Sequence, residues 1–245
     1  MAWAPTEVTE ADQPGDEHAS SSSWWSANRD LIALGATIVV LASWNISRSS
    51  LVPERYGIPA SLAMAVVFGG LGLLGGLRLR GFGLERSRLL SGLAYGGTVF
   101  AIVGVVLLIG GALPATSSAL NDSRVHVGVA TMVFEVVVAI PFGTVVLEEL
   151  AFRGTLLGLL SRRLSTPCAI SVMAVLFGLW HIKGVLHTPS GGIAVGAVIG
   201  TVLATTVAGV GFGWLRVKSG SLLAPVLAHI ATNSLTFAIA WTYWH

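Results

Sequence analysis

Residues 145–158 read VVLEELAFRGTLLG, and this stretch decides the fold. Two adjacent acids, Glu148 and Glu149, and a base one turn further on, Arg153, lie inside an otherwise apolar run. They are the last acidic residues of the chain: the 96 positions from Leu150 to His245 contain neither Asp nor Glu. Charges inside a hydrophobic helix are costly. They face a protein interior or a watered cavity, pair with one another, and mark a functional site.

Outward from that stretch the chain is apolar throughout. It has 245 residues, 53% of them hydrophobic and 11% charged, with a mean hydropathy of +0.78. Soluble domains carry about 25% charged residues, so this is a polytopic membrane protein. Lipid offers no water to an unpaired backbone group, which restricts the spans to helices or a closed barrel. The apolar runs are long and lack period-2 alternation, so the fold class is all-α: a transmembrane helical bundle. Seven spans are read, at 30–47, 59–77, 91–113, 126–162, 167–187, 191–217 and 221–244. The fourth is too long for one straight crossing, and a kink is expected at Pro141-Phe142-Gly143, with an end protruding from the bilayer.

The organisation is read as three parts: a tail over 1–28, N-terminal transmembrane helices over 29–125, and a C-terminal core over 126–245. The tail holds Glu7, Glu10, Asp12, Asp16, Glu17 and the run Ser20–Ser23; by composition it is disordered. It lacks the basic start and cleavable apolar core of a signal peptide. Of the fourteen Lys and Arg, ten fall on the N-terminal flank and the loops after spans two, four and six, counting Arg153, which is placed in the bundle. Arg48, Arg55, Arg124 and Lys183 fall on the other side. The positive-inside rule then puts the N-terminus in the cytoplasm and the C-terminus outside. The compact, Ala/Gly/Val-rich style suggests a bacterial cytoplasmic membrane.

The net charge of +2 is scattered over loops rather than clustered, which argues against nucleic acid as a partner. The single Cys168 excludes an intramolecular disulfide and reads as a small buried residue. No Lys-Ser/Thr follows the glycines at 69–76, so these read as helix packing and not as a phosphate loop. Glu135 has no neighbour in sequence to pair with and reads as an outer-half packing or interfacial residue. His18, His126, His187 and His245 lie at ends or in loops and read as surface histidines. There is no GxSxG context for a serine nucleophile.

Polar and ionisable residues gather in the C-terminal spans: Glu148, Glu149, Arg153, His181, His229 and Asn233. Glu149 and Arg153 are four apart and can pair on one helix face. Glu148 is turned about 100° from Glu149 and is free to face something else. Phe177 and His181, and His229 and Asn233, repeat the four-residue spacing. Carboxylate and imidazole together suit activation of water, since burial moves a carboxyl toward the proton affinity of a general base. Imidazole or amide donors can hold an oxyanion.

At these residues the sequence resembles the CAAX-protease and bacteriocin-processing (Abi) family of intramembrane proteases. Its three motifs appear as Glu148-Glu149-Leu-Ala-Phe-Arg153, Phe177-Gly-Leu-Trp-His181 and His229-Ile-Ala-Thr-Asn233. The resemblance implies an endopeptidase with its site inside the bundle. Glu148 would activate water with help from His181, His229 and Asn233 would hold the oxyanion, and Glu149, Arg153 and Phe177 would order the site. The family is often labelled metalloprotease. Glu148, His181 and His229 would make a plausible zinc set, but no HExxH helix is present, and metal-independent glutamate chemistry is the favoured expectation. The expected partners are the lipid bilayer and a membrane-associated peptide or protein substrate. Two other readings stay open: a non-catalytic scaffold or immunity protein that binds a peptide in the same cavity, and an ion-coupled transporter. The transporter ranks last, since no inverted repeat is seen.

Overall fold

The computed structural model describes residues 16–113, 123–186 and 195–245. The described residues form helices and no strands. Helix α1 covers Asp16–Leu51, α2 Gly57–Leu74, α3 Leu79–Phe82 and α4 Leu89–Ala112. A continuous helix Val129–Leu160, α5, follows. Then come α6 (Thr166–Trp180), α7 (Ile182–Leu186), α8 (Val195–Ser219) and a last helix Leu223–Trp244, α9. Seven helical segments are long and apolar enough to cross a membrane, and the chain is a polytopic transmembrane helical bundle.

Two boundaries differ from the sequence reading. Helix α1 begins at Asp16, inside the stretch assigned to a disordered tail. No proline interrupts the run beyond Pro14 until Pro53. Residues 1–15 lie outside the described residues, as do His187 and the start of the sixth expected span. The second difference concerns Pro141. Helix α5 winds as a π-helix over Glu135–Ala139, Pro141–Val145 and Glu149–Leu156. Proline has no N–H and clashes with the carbonyl four residues back. A wider i→i+5 turn accommodates both constraints, and such turns are frequent at functional sites.

Between helices in lipid the hydrophobic effect has little to act on, so association depends on close packing of small residues. Gly178 on α6 shows this: a Cβ there would collide with Thr206 Oγ1 and stand 2.8 Å from the Val202 carbonyl oxygen on α8. The main core lies where α1, α2, α5 and α6 meet and contains Phe68, Phe152, Leu156, Ala169, Met173 and Phe177. Large apolar side chains such as Val66, Leu90 and Val207 point outward and are exposed, as lipid-facing residues must be.

One end of the bundle is tied by basic side chains. Arg163 makes a bidentate pair with Asp30, at 2.7 and 2.6 Å, which holds the Arg163 guanidinium above its ordinary pKa. Arg162 donates to the Gly75 carbonyl at 2.9 Å. Arg216 donates to the Gly81 carbonyl at 2.8 Å, beside Gly83, whose φ of 77° ends α3 in the left-handed region that glycine tolerates.

Candidate active site

The three motifs meet in the middle of the bundle. Glu149 and Arg153 are both fully buried and form an ion pair, Nη1 to Oε1, at 2.8 Å. The same Glu149 Oε1 accepts from His229 Nδ1 at 2.7 Å. A carboxylate can only accept, so Nδ1 carries the proton, and Nε2 is the nitrogen turned to the site. That Nε2 lies 3.9 Å from Glu148 Oε2. The imidazole of α9 thus lies between the two adjacent carboxylates of α5.

Arg153 is held largely by rings. Its guanidinium carbon stands 4.0 Å from the centroid of Phe177 and 5.0 Å from that of Phe212. Among the described residues its Nε and Nη2 find no acceptor; cation–π attraction from the two rings offsets part of that loss. Phe212 also stacks on His229, at 5.2 Å and 27°. Phe177, buried, meets His229 edge-on at 6.0 Å and His181 at 4.7 Å. Phe177 therefore orders three functional groups at once.

Glu148 faces away from Glu149, as the helix rotation requires. Its Oε1 accepts from the indole Nε1–H of Trp180 at 3.0 Å. Its Oε2 is buried without a hydrogen-bond partner among the described residues. Trp180 is itself fixed: its ring packs edge-on to Phe152 at 5.7 Å, and its carbonyl accepts from Asn45 Nδ2 of α1 at 2.8 Å. His181 follows directly as α6 ends. Its Nδ1–H donates to the Phe177 carbonyl at 2.8 Å, leaving Nε2 free.

Glu148, Trp180 and His181 line a cavity of about 880 Å³, within the size range of small-ligand and peptide sites. The cavity walls also carry Arg48, Arg55, Lys183, Glu54 and Glu135. Lys183 ties its rim together, donating to the Asn45 and Ile46 carbonyls at 2.8 and 2.7 Å and to Ser49 Oγ at 2.8 Å.

The structure thus gathers Glu148, Glu149, Arg153, Phe177 and His229 into one contact group and puts His181 on the same cavity wall as Glu148. Asn233 is half-buried, its Oδ1 3.5 Å from Thr232 Oγ1; neither it nor His229 is among the cavity-lining residues, and within the contact group Glu148 is the residue that reaches the cavity. Glu135, read from sequence as a packing or interfacial residue, lines the cavity. Trp180 and Phe212 carried no motif signal. Trp180 fills a variable position of the second motif, and Phe212 sits on a helix with no motif at all. Zinc needs donors converging at about 2.0–2.2 Å from one point, and among the described residues no three His, Cys, Asp or Glu side chains are so disposed. The set Glu148, His181 and His229 does not fit a metal as it stands, and the chemistry below routes no step through one.

Buried carboxylates, a guanidinium and an imidazole thus meet inside a polytopic helical bundle, and Glu148 lines a cavity. The comparison with protein families agrees with the motifs. Residues 126–235 match the family described as Type II CAAX prenyl endopeptidase Rce1-like. This segment carries all three motifs and is similar to that family. Comparison with curated proteins and with solved structures gives no match.

Proposed function

We propose that this chain is an intramembrane endopeptidase of the CAAX type, hydrolysing a peptide bond in a membrane-associated peptide or protein. The observation that carries the reading is the Glu148 carboxylate. One oxygen is fixed by an uncharged donor, and the other is unbonded, buried, and 3.9 Å from His229 Nε2 at the wall of the cavity.

The chemistry follows from those positions. A water bonded to Glu148 Oε2 and a peptide carbonyl oxygen bonded to His229 Nε2 stand side by side across that gap. Glu148 takes a proton as the water oxygen attacks the carbonyl carbon, and the C=O π pair moves onto oxygen. His181 orients the water through its free Nε2. His229, as an imidazolium with Nδ1–H on Glu149, donates a hydrogen bond from Nε2–H to the oxyanion and keeps that proton as the intermediate collapses. The tetrahedral intermediate then collapses, the C–N bond breaks, and Glu148 returns its proton to the leaving amine. Loss of one oxyanion donor in such a site costs about 10²–10³ in kcat.

The test is hydrolysis of a quenched-fluorescent library of apolar peptides by the full chain in lipid nanodiscs. Wild type should cleave and Glu148→Gln should not, with both folding alike; equal cleavage by the two would end the reading. Activity should also survive a strong chelator. Inhibition reversed specifically by zinc would overturn the metal-independent form of the proposal.

A further inference from the structure

The cavity has a direction, and the direction restricts the substrate. Its deep end is the buried Glu148, and its rim carries the exposed residues Ser49, Glu54 and Arg55. The remaining walls come from the end of α1 (Trp44 to Val52), the start of α2, the first half of α5 (Phe134 to Thr144) and the residues after α6 (His181 to Gly184). Each membrane crossing reverses direction. The end of the first span, the start of the second, the start of the fourth and the end of the fifth therefore all lie on one side, opposite the N-terminus.

The other side is the basic one. Arg29, Arg78, Arg80, Arg86, Arg88, Arg162, Arg163, Arg216 and Lys218 flank the bundle there. Four of the fourteen basic residues, Arg48, Arg55, Arg124 and Lys183, belong to the cavity side. Three of those four line the cavity itself and so are accounted for by the site. Lys and Arg enrichment in short loops marks the cytoplasmic face. That face is also the tied one, held by the Asp30–Arg163 pair, by Arg162 on Gly75, by Arg216 on Gly81 and by the Leu222 N–H on the Gly83 carbonyl at 2.8 Å.

We infer that the site is loaded from the non-cytoplasmic face, so that its substrate is a peptide segment displayed there: part of an exported protein or the outward-facing end of a membrane-anchored one. A lipidated tail displayed in the cytoplasm would meet the tied end of the bundle instead. That a bond is cut rests on the proposed function; the side of access does not.

The experiment uses the full chain in right-side-out membrane vesicles, with Glu54→Cys and, in a separate variant, Ser50→Cys as exposed reporters at the cavity end. Native Cys168, exposed at the start of α6, reports the opposite face in the same molecule. A membrane-impermeant maleimide is applied before or after permeabilisation, and the labelled peptides are identified by mass. The inference expects both engineered thiols to label in sealed vesicles and Cys168 only after permeabilisation. Labelling of Cys168 in sealed vesicles, or protection of both engineered thiols there, would overturn it. A parallel survey of new peptide termini separates the two ideas. Termini confined to extracytoplasmic segments support both, and termini in cytoplasmic segments contradict the inference alone. An absence of termini removes the protease reading while the labelling result still decides the side.

Discussion

His229 Nδ1 and Glu149 Oε1 are 2.7 Å apart, and that bond joins the last helix of the chain to the fourth membrane span. It fixes the tautomer of His229 and the direction of its free nitrogen, as outer-shell carboxylates do for functional histidines. Replacing Glu149 by Gln offers the ring an amide that can donate as well as accept. Activity is expected to fall about 10–100-fold. In ¹⁵N spectra taken at a pH high enough to deprotonate the His229 ring, wild type should show the Nδ1–H form and Glu149→Gln a mixture. An unchanged ring signal with full activity would show that Glu149 does not orient it.

Trp180 is expected to act through Glu148. The indole N–H holds Oε1 and leaves Oε2 to the water. Trp180→Phe keeps an aromatic ring against Phe152 and removes the donor. Misplacement of a reacting group by about 1 Å can cost about 100-fold, so kcat should fall 10- to 100-fold while KM stays within about twofold. A benzothienyl side chain at this position, which differs from indole only in lacking the N–H, should behave like Trp180→Phe. A rise in KM with kcat unchanged would make Trp180 a wall of the cavity and nothing more.

The buried pair of Arg153 and Glu149 gives a stability prediction. Removing one member of a buried pair costs about 3–5 kcal/mol, because the other charge is left unpaired. Arg153→Met should therefore lower resistance to denaturant in mixed micelles by that order. The double variant Glu149→Gln/Arg153→Met should recover part of the loss, and strict additivity of the two substitutions would contradict the coupling.

Gly178, inside the second motif, is required by the approach of α8. Gly178→Ala puts a methyl group against Thr206 Oγ1 and the Val202 carbonyl oxygen. Overpacking of this kind costs about 1–3 kcal/mol. The strain falls three residues before His181, so activity should drop as well. Thr206→Ala removes the nearest obstruction and should restore part of both in the double variant; no recovery would mean that α6 and α8 are set apart by something else.

Much of this was legible in the sequence, and the reasons are physical. Lipid leaves helices as the only open-chain solution, so the apolar runs gave seven crossings. Charges are rare in such runs, so Glu148, Glu149 and Arg153 stood out against their background. Four-residue spacing put Glu149 with Arg153, and helix rotation turned Glu148 elsewhere, as the structure has it. What spacing cannot express is contact between helices. The indole of Trp180 and the ring of Phe212 look like ordinary membrane-span residues until the fold brings them to Glu148 and His229. The place of Glu135 on the cavity wall could not be read either, since nothing near it in sequence is its neighbour there.

The central claim is that Glu148 hydrolyses peptide bonds. The most direct measurement is a survey of peptide termini in membrane fractions from cells expressing wild type or Glu148→Gln at matched levels. The account expects new termini with wild type that are absent with Glu148→Gln, and they would name the substrate as well as the reaction. Identical termini in the two, with any biological phenotype intact in the variant, would contradict it and leave a protein that binds in the same cavity without cutting.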